Sequence, residues 1–335
     1  MVLNVELEYG LIIKIKEISF MEHILQKIKE YNRIIIHGHY RPDGDCIGSQ
    51  VGLAEIIKES FPEKEVIITG ETSDYVSFVA KPTILEDESL FKGALSICVD
   101  CATSERLSDK RFVLADYSIK IDHHIPVDDY GNYQYVDTTS PACAQIITEF
   151  YLKFKNELKL NKKAAEALYV GISTDTGRFK FDSVNSRTFQ AAACLVDNGV
   201  DLGYIDNQLS VETLETLKLK GWCLSNFNVT ENGFAYIKMT RDVIDSFGVS
   251  DEDAAAQVST ISTIEGCPVW AIFMDYPTEI RIRLRSRGPI INKLAEEYQG
   301  GGHAKASGAK LMSWDQLDGF LEKVDKLVKD YKENN

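Results

Sequence analysis

The sequence predicts an α/β protein in two parts: an N-terminal domain built on an open parallel sheet, then a smaller α/β domain. Three observations predict it. From Met21 to about Asn198, short β-branched runs alternate with stretches of helical period, the pattern of parallel β-α-β units. Beyond Asn226 the order changes to three strands followed by two helices, and one of those strands carries alternating arginines. The length of 335 residues suits about two domains, each able to bury a core.

Residues 1–20 alternate apolar and polar (Val5-Glu6-Leu7-Glu8, Ile13-Lys14-Ile15-Lys16) and could form a hairpin; they lack the basic n-region of a secretory signal. The first domain is expected over 21–199. Its strands are Arg33–Ile36, Glu65–Thr69, Ala94–Val99 and Ser118–Ile121, and its helices Ile47–Lys58, Ala142–Phe154 and Lys162–Ile172. Pro141 suits the first turn of the second helix, Asn161 the N-cap of the third, and Gly199 the position after a further helix. Residues 200–226 read as a helical connector. The second domain, 227–335, carries strands at Gly233–Met239, Val269–Asp275 and Glu279–Arg285, with helices at Ile290–Tyr298 and Trp314–Tyr331.

Lys plus Arg number 37 and Asp plus Glu 51, a formal charge of −14. So acidic a chain repels polyanions and does not coat long duplex nucleic acid. A small phosphate ester can still bind where metal ions or a local basic cluster reverse the field. The seven cysteines are scattered and odd in number, which reads as reduced thiols in the cytoplasm. No apolar run reaches the roughly 18 residues of a membrane span.

Five of the six histidines fall in motifs. His37-Gly-His39-Tyr-Arg-Pro-Asp43-Gly-Asp45-Cys-Ile-Gly48-Ser49 follows an apolar strand and precedes a helix, the sheet edge where α/β proteins bind ligands. His39, Asp43 and Asp45 can converge on one divalent ion, and Gly48-Ser49 are expected to open the helix with free N–H groups for a phosphate. Taken alone, the segment also reads as a polar turn. Asp100 closes the apolar run Ser96–Val99 and is followed by Arg106. Burying that carboxylate is costly unless it faces a cation; a helix cap is the other reading. Asp122-His123-His124 ends another strand, and neighbouring histidines point apart, so one can ligate while the other handles protons. Asp175 ends an apolar helix, as a ligand or a cap. Together these segments offer four carboxylates and two imidazoles, a donor set for two divalent ions about 3.5–4 Å apart. In the second domain, period two puts Arg281, Arg283, Arg285 and Arg287 on one face, near Gly300-Gly301-Gly302-His303, whose backbone can approach an anion closely.

These motifs resemble the DHH phosphoesterase family over residues 21 to 312: its H-x-x-P-D-x-D-x-x-G-S segment, the Asp122-His123-His124 that names it, and the Gly-Gly-Gly-His of its DHHA1 domain. The resemblance implies a Rossmann-like DHH domain, with His39, Asp43, Asp45, Asp100, His123 and Asp175 as ligands of two divalent ions. Mn²⁺ is expected, with Mg²⁺ or Co²⁺ as substitutes, and Asp100 is the bridge and a catalytic group. Hydroxide held between the ions would attack phosphorus in line, and His124 would protonate the leaving oxygen. Arg285, Ser286, Arg287, Gly301, Gly302 and His303 would bind substrate. The two-domain branch of the family hydrolyses very short RNA or DNA oligonucleotides and dinucleotides such as pApA, or 3′-phosphoadenosine 5′-phosphate (pAp), without membrane or long duplex. A homodimer through a sheet edge fits this reading. The rival readings are a pyrophosphatase or exopolyphosphatase, and a nucleotide-binding regulator whose site has decayed. The chain departs from relatives at Pro126-Val127-Asp128 and at Pro141-Ala142-Cys143.

Overall fold

In a computed structural model of the chain, residues 20–334 are described, so the hairpin expected in the N-terminal extension lies outside them. The chain divides after Ser210 into two compact units.

The first unit opens with helix α1 (20–30) and builds a five-stranded sheet. Its strands are β1 (Arg33–His37), β2 (Glu65–Thr69), β3 (Ala94–Val99), β4 (Tyr117–Asp122) and β5 (Tyr133–Val136), in the order β2-β1-β3-β4-β5. Every pairing is parallel. Ile34, Ile36, Leu95, Ile97, Val99, Ile119 and Ile121 are buried in one core with Leu53 and Leu168, as β-branched strands covered by helices require. The helices are α2 (Gly44–Ser60), α3 (Cys143–Lys153), α4 (Lys162–Asp175), α5 (Ser186–Asp197) and α6 (Leu202–Ser210). The chain runs from β1 out to β2 and returns to β3 on the other side of β1, so the strand order reverses beside β1. Ligands of open α/β sheets bind outside the carboxyl ends at such a switch point. The connections from β2 to β3 and from β3 to β4 contain only 3₁₀ turns.

Helices α2 and α4 meet backbone to backbone. A Cβ on Gly48 would run into the Ala167 carbonyl, one on Gly44 into Thr174, and one on Gly52 into Leu168. The glycines recur every fourth residue and so lie along one stripe of the helix. This corrects the phosphate role expected of Gly48-Ser49. The helix begins at Gly44, so both residues lie a full turn inside it, and Asp43 caps the free end by accepting from the Asp45 and Cys46 amides. Pro141 lies outside its helix, because Ala142 is the N-cap of α3.

The second unit is a six-stranded mixed sheet. Helix α7 (Leu214–Asn226) leads into β6 (Asn228–Val229), β7 (Phe234–Met239), α8 (Arg241–Phe247), α9 (Asp251–Ala256), β8 (Val269–Tyr276), β9 (Glu279–Ser286), α10 (Asn292–Glu297), β10 (Gly301–His303), β11 (Ala306–Leu311) and α11 (Leu317–Glu333). The order is β10-β11-β9-β8-β7-β6. Phe234, Ala271, Phe273, Ile282, Leu284 and Leu311 pack against Phe320, Val324 and Val328 of α11 on one face. On the other face, Ile237, Met239, Ile272 and Met274 pack with Leu219 and Cys223 of α7 and Ile244 of α8. The expected connector is therefore two helices, since Ile205 of α6 lies in the first unit's core and α7 in the second's.

Candidate metal centre and active site

Each side chain of the cluster is positioned by the end of a core element. His39 follows β1, and its Nδ1 lies 3.0 Å from the Tyr40 carbonyl, which turns Nε2 towards Asp100 Oδ2 at 3.5 Å and Asp43 Oδ1 at 3.8 Å. Asp100 follows β3 in a left-handed conformation, φ 55°, and is 2% exposed. His123 follows β4; its Nε2 lies 3.3 Å from Asp100 Oδ1, 3.4 Å from Asp175 Oδ2 and 3.7 Å from Asp45 Oδ2. Asp175 is the last residue of α4. After it, Gly177, Arg178 and Phe179 are all left-handed. Backbone strain of this kind persists where surrounding structure holds it, and it collects at functional sites.

These contacts are too long and too many to be hydrogen bonds. They match neighbouring donors on one ion with bonds of about 2.1 Å, which sit about 3–3.5 Å apart. Asp100 Oδ1 and His123 Nε2 are buried without a hydrogen-bond partner, an expensive condition unless something else satisfies them. Donor atoms of Asp100, His123 and His124 lie within 4.8 Å of one another, as do those of Asp45, His123 and Asp175, and of His39, Cys46 and Asp100. Asp100 and His123 each recur in two of these groups, and Asp100 offers its two oxygens to different neighbours, Oδ2 to His39 and Oδ1 to His123, as a bridging carboxylate would. The residues present therefore fit divalent ions. Five of the six expected ligands fall in these groups; Asp43 does not, and approaches them through its 3.8 Å contact with His39.

Asp45 does two things. Fully buried, it accepts from the Cys143 amide at 2.6 Å and the Ala144 amide at 2.8 Å, while Oδ2 faces His123. Ala142 has no side chain to cap α3, and Asp45 caps it from across the fold. Gly171 makes room, because a Cβ there would meet Ala144 and Asp45.

Without cations the site is overcharged. Burial and Asp100 push Asp45 up to about 7, and burial with Asp45 and Asp100 pushes Asp175 up to about 9. Burial opposes protonation of His123, but Asp100, Asp45 and Asp175 outweigh it and raise it to about 10. Groups raised above their unfolded values keep protons that the unfolded chain releases. These three groups thus bind more protons in the folded, metal-free protein than in the unfolded chain from about pH 4 to 10; they outweigh buried His37, which works the other way below about pH 6.5, so their contribution to stability falls as pH rises through that window. Thermal unfolding with a chelator is expected to show Tm falling from about pH 5 to 9, and added divalent ion is expected to abolish the fall. A chelated protein whose Tm rises over this range would contradict the assignment.

His124 adjoins the cluster, its Nδ1 3.6 Å from Asp100 Oδ1, but its hydrogen bond goes elsewhere. Its Nδ1 lies 2.8 Å from Asp122 Oδ1, which leaves Nε2 for substrate on a side chain 38% exposed. Asp122 also accepts from the His123 and His124 amides, with buried Lys120 Nζ 3.4 Å from its other oxygen. Burial works against the Asp122 anion, but the hydrogen bond from His124 holds it below the ordinary carboxylate range. His37 is structural: fully buried, it lies between Ser96 Oγ and the Asp109 carbonyl, and burial lowers it to about 4.

In the second unit the expected residues separate. Arg281, Arg283 and Arg285 lie on the solvent side of β9, alternating with buried Ile280, Ile282 and Leu284. Arg285 is in register with Ala306 of β11 and that with His303 of β10; Arg283 aligns with Gly308 and Gly301. These positions share one open face of the sheet. Arg281 and Lys310 are paired with Glu279, and His303 is exposed. Arg287 is not on the stripe. It lies past the end of β9 and donates to the Ile264 and Cys267 carbonyls. Buried Ser286 is likewise committed, donating to the Pro289 carbonyl and accepting from the Gly288 amide. The Gly-Gly-Gly-His segment is an edge strand rather than a loop. Gly302 is needed for its fit against Ala306 and Ser307, whereas a Cβ on Gly301 would meet nothing within 4 Å.

Sequence reasoning missed one residue and did not single out another. Cys46 is fully buried with Sγ accepting from the His39 amide at 3.3 Å, and a thiol beside Asp45 gave no signal in the spacing. Arg283 was visible only as one member of the stripe; the register singles it out.

Two imidazoles and four carboxylates at the switch point of a parallel sheet, with a carboxylate-held histidine beside them, define a divalent-metal phosphoesterase. Comparison with known proteins carries this further. Residues 33–172 match the DHH family, N-terminal domain, and residues 232–330 the DHHA1 domain; the chain belongs to the DHH family and is a metal-dependent phosphoester hydrolase. It is 38% identical over 310 residues to the bifunctional oligoribonuclease and PAP phosphatase NrnA of Bacillus subtilis (strain 168), covering 92% of this chain and 99% of that protein. It is also 38% identical over 307 residues to the probable enzyme of the same name from Streptococcus mutans, covering 91% and 98%. Among solved structures it resembles an exopolyphosphatase-related protein from Bacteroides fragilis, with a TM-score of 0.82, 25% identity, and 93% and 98% of the two chains covered. Among the described residues no helix is long and apolar enough to cross a membrane.

Proposed function

We propose that this chain hydrolyses short oligoribonucleotides and dinucleotides such as pApA to mononucleotides, and removes a phosphate from pAp, as a cytoplasmic enzyme loaded with Mn²⁺. The observation that carries the proposal is the match over 92% and 91% of this chain to proteins named for those two activities, supported by the clustering of carboxylates and imidazoles in this chain. Mixed imidazole and carboxylate donors favour an ion of the Mn²⁺ type. His39, Asp43, Asp45, Asp100, His123 and Asp175 would hold the ions. When bound, these supply Lewis acidity that neutralises phosphate charge and makes a nucleophile available from water near neutral pH.

The remaining roles belong to the chain's own groups. His124 Nε2 protonates the leaving oxygen, while Asp122 fixes the ring and stabilises the imidazolium before transfer. Arg283, Arg285 and His303 supply cationic and hydrogen-bonding groups for the nucleotide on the open face of the second sheet, with the bare backbone of Gly301 among them.

The likeness to an exopolyphosphatase-related structure favours one rival, hydrolysis of pyrophosphate or polyphosphate. Initial rates with Mn²⁺ on pAp, pApA, a five-nucleotide RNA and pyrophosphate test both. Mononucleotide release from pApA or RNA, with pyrophosphate untouched, is expected. Turnover of pyrophosphate alone would overturn the proposal.

A further inference from the structure

The first unit contains six arginines, in a chain with 51 acidic residues. Four are paired: Arg33 with Glu65, Arg111 with Asp109, Arg178 with Asp206, and Arg187 with Asp137 and Glu149. Arg41 and Arg106 are exposed, and among the described residues neither side chain has an ion pair or hydrogen bond. Both adjoin Tyr40, the residue after metal ligand His39. The Arg106 guanidinium lies over the Tyr40 ring, 5.6 Å from its centroid.

The backbone beneath this stack is rigid. Tyr40 N donates to the Arg106 carbonyl at 2.8 Å, and His39 forms an antiparallel bridge with Leu107. Arg106 N donates to the Thr103 carbonyl at 3.1 Å, Ser108 N to the Gly38 carbonyl at 3.0 Å, and Ser104 donates through its amide and hydroxyl to Asp128. The segment leaves β3 directly after Asp100. Main-chain bonds thus fix the Arg106 backbone beside His39 and Tyr40, and the guanidinium rests over the Tyr40 ring with its donors unspent. A stacked, planar fork loses little freedom on gripping phosphate, and a cation left unpaired in so acidic a chain is available to an anionic ligand.

We propose that Arg106, braced on Tyr40, binds a second substrate phosphate, the one beside the phosphate being cleaved, and so sets a preference for substrates carrying two phosphates. This rests on the function proposed above and adds to it a specificity-determining residue on the metal-bearing unit.

The test reads binding rather than turnover. Calorimetric titrations with Ca²⁺ in place of the catalytic ion compare pAp with AMP, and pyrophosphate with orthophosphate, on the wild type, Arg106→Gln and Arg106→Lys. Arg106→Gln is expected to weaken pAp about 10- to 100-fold and AMP less than about twofold, with Arg106→Lys restoring part of the loss. Retained metal affinity, read by titrating Mn²⁺, shows that the cluster is intact. Equal weakening of pAp and AMP, or none of either, would overturn the assignment. If the wild type binds pyrophosphate well and nucleotides no better than orthophosphate, the nucleotide reading fails. The two-phosphate role of Arg106 is then still decided by the pyrophosphate pair.

Discussion

Replacing Asp100 with asparagine is expected to strip the metal cluster and lower turnover about a thousandfold, equivalent to roughly 4 kcal/mol of lost transition-state stabilisation. Asparagine is the informative choice. It tolerates the left-handed backbone that Asp100 adopts, so the loop after β3 keeps its course while the charge disappears. Asp100 faces His39 through one oxygen and His123 through the other, so one substitution removes a ligand from both sides of the cluster. Metal content by mass spectrometry, with circular dichroism as the control on folding, gives the answer. A variant that keeps its metal and its rate would remove Asp100 from the site.

His124→Ala is expected to do the opposite at the metal and nearly as much damage to the rate. Metal content stays at the wild-type level, because the His124 Nδ1 is engaged by Asp122. The kcat falls about 10²- to 10⁴-fold, the usual contribution of a positioned general acid, with little change in KM. A leaving group that needs no protonation, such as a nitrophenolate, should recover much of the loss. Loss of metal in His124→Ala, or no rescue by the better leaving group, would recast His124 as a ligand.

The sheet was legible because a buried parallel strand leaves an unmistakable sequence. Ile34–Ile36 are apolar throughout, Ala94–Val99 and Ser118–Ile121 are rich in aliphatic residues and buried at every position, and a titratable residue at the end of each has few roles other than a site at the sheet edge. That logic also points to His39, Asp100 and His123, which the fold brings together. It misjudged the start of α2, because Asp43 and Gly44 read equally as turn residues, and no periodicity separates a helix's first turn from the loop before it. Arg287 continues the period-two pattern past the point where the strand ends. The glycine run looked like a loop because glycine is rare in strands; only the pairing with β11 reveals an edge strand that uses Gly302 for its fit. Asp45 as the cap of α3 joins residues about a hundred positions apart, beyond any local pattern.

The seam between α2 and α4 has a consequence for how such a protein can change over evolutionary time. Asp45 rides on one helix and Asp175 ends the other, and where Gly48 meets Ala167 there is no side chain to yield. Single substitutions can rewrite exposed Tyr40, Arg106, Ile125 and Val127 without disturbing that distance. The seam can be altered only by matched changes in two helices at once. Substrate preference is therefore free to drift one residue at a time, while the spacing of the metal ligands is inherited as a block.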